Sequence, residues 1–406
     1  MIRILKKYLY HLPKALFWNV FYGFPHRKLI LIGVTGTDGK TTTCTLIQRI
    51  LQNSGHTVGI ISTVDTPGLH TTSPDPKILQ KLFSDFVKQG CTHVVCEVTS
   101  HSLDQYRYWG CHFKVSVLTN ISLEHLDYHK TMENYMNAKS LLFSQSDIAI
   151  LNNNCDYYND FFKKVHTKII TYGTKIKSDI KASHIKITDK LLSFTDDKKT
   201  FITDSNYNYQ LFNILAALGV CRQLNIDDKF VINTIKKFPH TVGRRQEIDN
   251  PYSFKTLIDF AHTPNALLQT LLSLKLNTKG KLICIFGATG GRDQIKRPIM
   301  GKVVSENCDI AIVTADDTRN ENIIDINKQI ISGFNQKLID NKTFTYYDIP
   351  NRQDAFNLAI KLAKSGDTIV ACGKGHETSI LHGNTEYPWS ESDAFKTAFR
   401  IREQNV

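Results

Sequence analysis

The segment that most constrains the fold of this chain is residues 29–43, LILIGVTGTDGKTTT. Its apolar start predicts a buried parallel strand, which leads into a turn rich in glycine and threonine. In such a turn, backbone N–H groups and the N-terminus of the next helix can surround phosphate oxygens. Gly36 and Gly39 allow this close approach, Lys40 adds a cation, and the Thr41 hydroxyl suits Mg²⁺. The segment therefore predicts a phosphate-binding loop in an α/β fold.

One position departs from the strict P-loop pattern G-x-x-x-x-G-K-[ST]. Val34 stands where that pattern has glycine. An ordinary strand-to-helix turn is the alternative interpretation. Such turns rarely combine two glycines, a lysine and a threonine at this spacing, so we favour phosphate binding.

Size, charge and cysteine usage limit the remaining classes. A chain of 406 residues is long enough for two or three domains. The net charge of +12 favours anionic partners, but the lysines are scattered and no basic stripe is interleaved with aromatics, so we expect no nucleic-acid partner. The nine cysteines form no C-x-x-C pair, which predicts neither a disulfide framework nor a zinc cluster. A reducing compartment follows, so we expect a cytoplasmic protein. We also expect a monomer.

Residues 1–27 form a basic and aromatic extension that Pro13 interrupts. The segment lacks both an unbroken apolar span and a small-residue cleavage site, so we predict neither a transmembrane helix nor a signal peptide. Two interpretations stay open. Either the aromatic side of a helix packs on the first domain, or a basic amphipathic helix lies on a membrane surface. We favour packing because the charges cluster at one end.

Alternating strand and helix patterns follow, which predicts an α/β protein of two domains. Residues 28–240 form a central P-loop-type ATPase domain with a parallel sheet, and residues 241–406 form a Rossmann-like α/β C-terminal domain. The predicted strands of the second domain are TLIDFAH, KLICIFGATG, IAIVTAD and TIVACGKG. A polar, turn-rich stretch at 183–208 predicts a small hairpin region.

Three residues of the central domain could act beside the phosphate-binding loop. Glu97 lies near the C-terminal end of a predicted strand, the edge where ligands of open α/β sheets gather. Together with His125 it could hold Mg²⁺. Taken singly, His125 could equally cap a helix, and Lys139 could be a surface lysine.

Seven motifs in order make the chain similar to the Mur ligase family, the ATP-dependent amide-forming enzymes of peptidoglycan precursor synthesis. They are GVTGTDGKTTT, EVTSHSLDQYR, LTNISLEHLDYH, NAKSLLF, DFAHTPNAL, GGRDQIKRPIMG and GKGHE. The resemblance covers about residues 28–395 and points to the branch that adds the third residue of the stem peptide. It accounts for Val34, because the family's own loop reads T-G-T-N-G-K-T. Asp38 departs from the family's asparagine, and its extra negative charge near phosphate is unfavourable unless it faces away or meets a cation.

The resemblance implies a reaction through an acyl phosphate. ATP phosphorylates a substrate carboxylate, and the incoming amine then forms the amide, which requires positioning and charge neutralisation more than a protein nucleophile. Lys40 would hold the transferred phosphoryl group, with Thr41 and Glu97 on one Mg²⁺. Lys139 matches the lysine that family members carry as a carbamate, which with His125 would hold a second Mg²⁺. A carbamate forms only on a neutral amine, so this lysine would have to lose its proton.

The resemblance also implies binding residues. Those for ATP come from both domains, so the nucleotide would lie between them and closure would assemble the site; they are Gly36, Thr37, Gly39, Lys40, Thr41, Thr42, Asn213, Arg244, Asp259 and His262. Those for the muramoyl peptide are Thr71, Thr72, Thr99, Gln105 and Arg107. Without the resemblance, the second group would be interpreted as helix caps and surface polar residues.

The incoming amino acid is a finer question. Family members that use meso-diaminopimelate carry D-N-P-R, whose arginine pairs with the distal carboxylate, and lysine-adding members lose that arginine. Here the equivalent residues are Asp316, Asp317, Thr318 and Arg319, so the arginine is kept and the two central residues differ. The remaining diaminopimelate contacts match Arg292, Gly373 and Glu377. We favour meso-diaminopimelate over lysine.

The front of the chain departs from the family pattern. Family members of this type carry an N-terminal domain of about a hundred residues that binds the UDP moiety, whereas only about 27 residues precede the loop strand here. Either less protein holds the UDP end, or a partner does, or the acceptor is not a UDP-sugar. The expected substrates are UDP-N-acetylmuramoyl-L-alanyl-D-glutamate and a diamino acid. Alternatives are a Mur-type ligase with another acceptor and a non-catalytic binding protein of the same fold.

Overall fold

A computed structural model describes residues 5–62, 73–188, 191–205, 207–238 and 242–404. The chain divides into two compact units. The first comprises Met1–Ser122 and His129–Pro239, and the second comprises Leu123–Tyr128 and His240–Val406. The border predicted between residues 240 and 241 lies outside the described residues. Each unit is an α/β structure with its own sheet, so the predicted fold class is confirmed.

The first unit is built on a sheet that, over the described residues, has seven parallel strands in the order β2-β3-β1-β4-β5-β6-β7. The strands are β1 (Ile30–Thr35), β2 (Val58–Ile61), β3 (His93–Glu97), β4 (Phe113–Leu118), β5 (Ser146–Asn152), β6 (Lys168–Gly173) and β7 (Ile180–Lys181). The predicted apolar run becomes β1, which pairs with β3 on one side and β4 on the other and is buried from Leu31 to Thr35. The strand order reverses beside β1, and a crevice forms at the C-terminal edge of an open sheet at such a point.

α-Helices precede, separate and follow these strands along the chain. They are α1 (Leu12–Phe21), α2 (Lys40–Asn53), α3 (Pro76–Lys88), α4 (Ser100–Asp104), α5 (Leu126–His129, which begins in the second unit), α6 (Met132–Phe143), α7 (Tyr158–Phe162), α8 (Asn208–Gln223) and α9 (Asp228–Ile235). Helix α2 presents Leu46, Ile47 and Ile50 to the same core as Ile214 and Leu218 of α8. This packing fixes the first turn of α2, and with it the phosphate-binding loop.

The predicted hairpin region forms three antiparallel strands. These are β8 (Ser183–Ile187), β9 (Leu192–Asp196) and β10 (Lys199–Thr203), with β9 in the middle. Phe194 and Phe201 stack across β9 and β10 with ring centroids 4.9 Å apart. The two buried rings give this small sheet its own apolar face.

The N-terminal segment packs on the first unit through small and polar side chains. A π-helical turn, Lys7–His11, runs into α1, whose buried residues are Ala15 and Asn19. The Asn19 Nδ2 donates to the carbonyl of Trp109 at 3.2 Å. The segment is thus attached along one face, while the rings of Phe17 and Phe21 remain exposed.

The second unit contains a mixed sheet. Within the described residues it has six strands in the order β11-β12-β16-β13-β14-β15, parallel except for β11. They are β11 (Gln246–Glu247), β12 (Lys255–Asp259), β13 (Leu282–Phe286), β14 (Ile310–Val313), β15 (Thr345–Asp348) and β16 (Thr368–Cys372), followed by a separate hairpin of β17 (Ser379–His382) and β18 (Thr385–Pro388). The four predicted strands form its centre, and the helices are α10 (Pro264–Lys275), α11 (Lys296–Asn307), α12 (Ile323–Ile331), α13 (Gln336–Asp340), α14 (Arg352–Leu362) and α15 (Glu391–Gln404).

A buried ion pair ties the loops after β14 and β16 together. The Arg352 Nε donates to Glu391 Oε1 at 3.0 Å, and both side chains are nearly inaccessible to solvent. The same guanidinium donates to the carbonyls of Ala315 at 2.8 Å and Cys372 at 3.0 Å. Two strand ends that carry site residues are therefore held by one side chain.

A membrane crossing would need a longer and more apolar helix than any found among the described residues.

Candidate functional site

Two glycines set the shape of the phosphate-binding loop. Gly39 has a φ of 79° and immediately precedes α2, a conformation that glycine adopts without strain. A Cβ on Gly36 would lie only 1.8 Å from Thr119 Oγ1, so there is no room for a side chain at this position. The Lys40 Nζ donates to the carbonyl of Thr37 at 2.8 Å, so the lysine folds back over the loop. The loop thus presents backbone N–H groups and a cation at the N-terminus of α2.

Thr41 and Glu97 meet beside this loop. The Thr41 Oγ1 donates to Glu97 Oε2 at 3.0 Å, and the two side chains are almost completely buried. Ser73 Oγ supports the strand end by donating to the carbonyl of Glu97 at 3.0 Å. A hydroxyl and a carboxylate oxygen in contact form a donor set that suits a hard cation such as Mg²⁺. Thr41 and Glu97, the two residues predicted to share one Mg²⁺, are therefore in contact.

Lys139 also reaches the loop. It lies on α6, is 1% exposed, and donates through Nζ to the carbonyl of Gly36 at 2.7 Å. The same Nζ lies 4.6 Å from the ring centroid of Tyr135. Lys139 is therefore not a surface lysine, which was the alternative interpretation.

The main chain of Asp38 is firmly held. Its N–H donates to Asn120 Oδ1 at 2.9 Å, and its carbonyl accepts from Thr119 Oγ1 at 2.6 Å. Thr37 is held in the same way, since its hydroxyl accepts from the N–H of Ser122 at 3.0 Å. The residues after β4 thus shape the loop through its backbone, whatever residue occupies position 38.

Asn213 and Thr42 complete the surroundings of the loop. Asn213 Oδ1 accepts from Thr43 Oγ1 at 3.2 Å, and it would lie 2.7 Å from a Cβ on Gly39. Thr42 lies buried in the first turn of α2. The amide of Asn213 therefore touches the loop, although 170 residues separate it from Thr43 in the sequence.

The predicted peptide-binding residues gather after β3. The Thr99 Oγ1 caps α4 by accepting from the N–H of Ser102 at 3.2 Å. The Arg107 Nη2 donates to Gln105 Oε1 at 2.8 Å, and its Nη1 donates to the carbonyl of Ser73. The structure brings Thr99, Gln105 and Arg107 to one surface. Thr71 and Thr72 lie outside the described residues.

In the second unit, Asp259 organises the end of β12. Its Oδ2 accepts from the N–H of Arg245 at 2.9 Å, and its Oδ1 accepts from the N–H of Ala261 at 2.8 Å. The carbonyl of Asp259 accepts from the N–H of Gly373 at 3.1 Å. The buried carboxylate therefore holds the residue before β11 and the loop after β12.

An aromatic cluster lies next to it. The Phe260 ring contacts those of His262, at 4.6 Å between centroids, and His376, at 4.9 Å. The Arg244 guanidinium carbon lies 4.5 Å from the Phe260 centroid. Burial, followed by the charges of Arg244 and Lys374, lowers the pKa of His376 to about 4, so this imidazole is neutral near pH 7. Within the described residues its two buried ring nitrogens have no hydrogen-bond partner.

Three carboxylates and one lysine cluster after β14 and β16. Asp316, Asp317 and Glu377 have oxygens within 4.8 Å of one another. The buried Lys374 Nζ lies 2.7 Å from Asp317 Oδ1 and 2.5 Å from Glu377 Oε2. A Cβ on Gly373 would lie 2.9 Å from Asp316 Oδ2. Loss of hydration, with Asp316 adding to it and Lys374 opposing it, raises the pKa of Glu377 to about 7.

Two arginines lie close enough to repel each other. Burial, followed by the charge of Arg319, lowers the pKa of the Arg292 guanidinium. Glu321 holds the loop that carries Arg292, because it accepts from the N–H of Gly291 at 2.5 Å. Glu321 is itself held by the fully buried Arg297, which donates to it at 2.7 Å. Among the described residues, the buried Arg319 Nε has no hydrogen-bond partner. The pair therefore offers a site for an anion.

His125 belongs to the second unit. Its Nδ1 lies 3.8 Å from Glu124 Oε1, and Glu124 in turn accepts from the buried Lys296 Nζ at 3.1 Å. The N–H of Leu126 donates to Asp293 Oδ2 at 3.1 Å. The role of His125 as a metal ligand stays a prediction.

Sequence reasoning missed several residues of these sites. Lys374 and His376 stand inside the motif GKGHE, so the motif itself was the available signal. Glu124 and Lys296 also stand inside motifs, LTNISLEHLDYH and GGRDQIKRPIMG, but nothing local indicated that they meet across a separation of 172 residues. A contact of that range becomes visible only in the fold.

Comparisons with known proteins agree with this arrangement. The Mur ligase middle domain matches residues 34–221, and the Mur ligase glutamate ligase domain matches residues 243–375. The chain is 37% identical to UDP-N-acetylmuramoyl-L-alanyl-D-glutamate–2,6-diaminopimelate ligase 1 of Clostridium acetobutylicum, over 92% of this chain and 78% of the relative. It is 34% identical to the UDP-N-acetylmuramoyl-L-alanyl-D-glutamate–2,6-diaminopimelate ligase of Bacillus cereus, over 96% of this chain and 82% of the relative.

A solved structure of a UDP-N-acetylmuramoyl-L-alanyl-D-glutamate–2,6-diaminopimelate ligase is similar over most of both chains. The TM-score is 0.63 at 27% identity, covering 96% of this chain and 83% of that one.

Proposed function

This chain belongs to the Mur ligase family, and on that premise we propose that it is an ATP-dependent ligase that adds meso-diaminopimelate to UDP-N-acetylmuramoyl-L-alanyl-D-glutamate. The observation that carries the proposal is the contact of Thr41 with Glu97 beside a loop that Lys139 also reaches. A phosphate-binding loop, an oxygen pair for a cation and a buried lysine at one strand end suit phosphoryl transfer to a carboxylate.

The phosphate-binding loop would act first. Its N–H groups and Lys40 would bind the phosphates of ATP and neutralise charge as the γ-phosphoryl group moves to the substrate carboxylate and ADP leaves. The amine would then attack the carbonyl carbon of the acyl phosphate, and inorganic phosphate would leave as the amide forms. Asn213 would hold the loop, and Arg244, Asp259 and His262 would contribute to the nucleotide site.

We expect the enzyme to use two Mg²⁺ ions. Thr41 and Glu97 offer contacting oxygens for one, and Lys139, once carbamylated, would supply carboxylate oxygens for the other together with His125. Such ions neutralise phosphate charge. Thr71, Thr72, Thr99, Gln105 and Arg107 would contact the muramoyl peptide.

The choice of meso-diaminopimelate is supported by Arg319. Its buried Nε has no partner among the described residues, and Arg292 lies near enough to influence it electrostatically. The two residues that depart from D-N-P-R make contacts of their own. Asp317 pairs with Lys374, and Thr318 Oγ1 lies 3.0 Å from His382 Nδ1. The distal carboxylate would pair with the arginine, and the acidic cluster of Asp316 and Glu377 would receive the ammonium.

A donor screen tests the proposal. ADP release should require both UDP-N-acetylmuramoyl-L-alanyl-D-glutamate and meso-diaminopimelate, with lysine a poorer donor. Arg319→Ala should lower kcat/KM for meso-diaminopimelate by about 100-fold, because charge-assisted hydrogen bonds to a carboxylate are lost, and should change lysine use little. The matched control is Arg400→Ala, at an exposed arginine of α15. Release with no diamino acid, or only with a UDP-less acceptor, would contradict the proposal.

Glu377 gives a pH dependence. Since its pKa is raised to about 7, the carboxyl is largely protonated below that pH and ionised above it. Only the ionised form can pair with an ammonium, so KM for meso-diaminopimelate should fall about tenfold between about pH 6 and about pH 8. Steady-state kinetics across this range measure the effect. Glu377→Gln should remove the dependence, and a variant that keeps the same profile would show that another group titrates.

A further inference from the structure

An apolar strip runs along the outer face of the N-terminal helical segment. Five residues form it: Leu9, Leu16, Phe17, Val20 and Phe21. Their exposed fractions lie between 43% and 71%. The spacings of 7, 8, 11 and 12 residues from the first member place all five on one side of a helix. Most monomers scatter exposed apolar residues singly, so a continuous strip marks a contact surface.

The opposite face fixes the orientation of this strip. Asn19 is buried and donates to the carbonyl of Trp109, while Lys7 lies 3.3 Å from Asp104 and Lys14 lies 2.7 Å from Asp75. These contacts attach the segment to the first unit at both of its ends. The strip is therefore held outward by the fold, and rotation of the helix inward would break the buried contacts of Asn19.

Charge identifies what the strip contacts. Residues 1–28 contain six lysines and arginines and no aspartate or glutamate. Lys6, Arg27 and Lys28 are exposed, whereas Lys7 and Lys14 face acidic groups of the first unit. A strip of leucine and phenylalanine with cations at its two ends is complementary to an anionic lipid surface. Two copies of such a segment would repel each other.

We propose that the segment Lys7–Phe21 docks this protein on an anionic membrane surface, with its axis in the plane of the interface. Leu9, Leu16, Phe17, Val20 and Phe21 enter the boundary between headgroups and acyl chains. Lys6, Arg27 and Lys28 contact lipid phosphates. This binding does not involve the catalytic residues, so it can be tested independently of the proposed function.

Vesicle sedimentation of the full chain tests the docking. The protein should sediment with vesicles of phosphatidylglycerol and phosphatidylcholine in a 1:3 ratio, and much less with phosphatidylcholine alone. The double variant Phe17→Ser/Phe21→Ser should bind the mixed vesicles at least about tenfold more weakly, because two large apolar side chains no longer enter the membrane. Lys6→Gln/Arg27→Gln/Lys28→Gln should weaken binding and reduce its dependence on salt.

The matched control exchanges exposed apolar residues elsewhere. Ile176→Ser/Leu276→Ser removes side chains that are 87% and 84% exposed and lie outside the segment, and it should bind vesicles like the parent. Circular dichroism and amino-acid-dependent ADP release should be unchanged in all variants. Failure of the parent to bind the mixed vesicles would overturn the proposal, as would a dimer in gel filtration that the phenylalanine variant converts to monomer, or equal loss of binding in the control.

Discussion

Lys40→Met should lower the rate of ADP release by about 1000-fold, because the transferred phosphoryl group loses the cation that neutralises it in the transition state. Methionine keeps most of the length of the side chain. In the structure Lys40 Nζ donates to a neutral group, the carbonyl of Thr37. The fold should therefore tolerate the change, and a coupled assay of ADP at saturating substrates measures it.

Lys88→Met serves as the control for this variant, since Lys88 is an exposed residue at the end of α3. It should retain the activity of the parent. If Lys40→Met kept more than about a tenth of that activity, the loop would not be the site of phosphoryl transfer. Thermal unfolding at the parent's temperature would show that the loss is not one of folding.

Lys139→Ala should lower turnover by a similar factor of about 1000. The 1% exposed amine sits on the carbonyl of Gly36, and as a carbamate it would supply the oxygens for the second Mg²⁺. If that is its role, a small carboxylate such as formate should enter the space and restore part of the activity. Steady-state ADP release with increasing formate measures the rescue.

Two further variants separate catalysis from stability. Lys163→Ala, at an exposed lysine, should neither lose activity nor respond to formate. Lys139→Gln keeps the size of the side chain without the carbamate, so it should fold like the parent and remain inactive. Full activity of Lys139→Ala would refute the carbamate. So would a folded Lys139→Ala protein whose lost activity formate does not restore.

Local pattern was sufficient for the phosphate-binding loop. The apolar run, the two glycines and Lys40 predict strand, turn and helix because each local choice favours the same conformation. Glu97 could also be placed, since parallel strands deliver their C-terminal ends to one edge of a sheet. For Lys139, sequence spacing favoured a surface residue, and only the resemblance and then the burial of its amine changed that interpretation.

Other features required the fold itself. The contact between Asn213 and Thr43 depends on how α8 packs against α2, which no local pattern encodes. Lys374 and Asp317 meet because β14 and β16 end on the same side of the second sheet. In the N-terminal segment, composition suggested an aromatic face toward the protein, yet Ala15 and Asn19 pack there because their small and polar side chains let the helix approach closely.

The course of the chain through residues 123–128 has a practical consequence for dissecting this protein. These six residues belong to the second unit although more than a hundred residues of the first unit follow them. A fragment that starts at residue 240 would lack Glu124 and leave the 3% exposed Lys296 without its carboxylate partner. A fragment that ends at residue 240 would contain residues 123–128 without the rest of the second unit. The two halves are therefore not separable modules, and a truncation strategy would have to graft this crossing segment onto the second half.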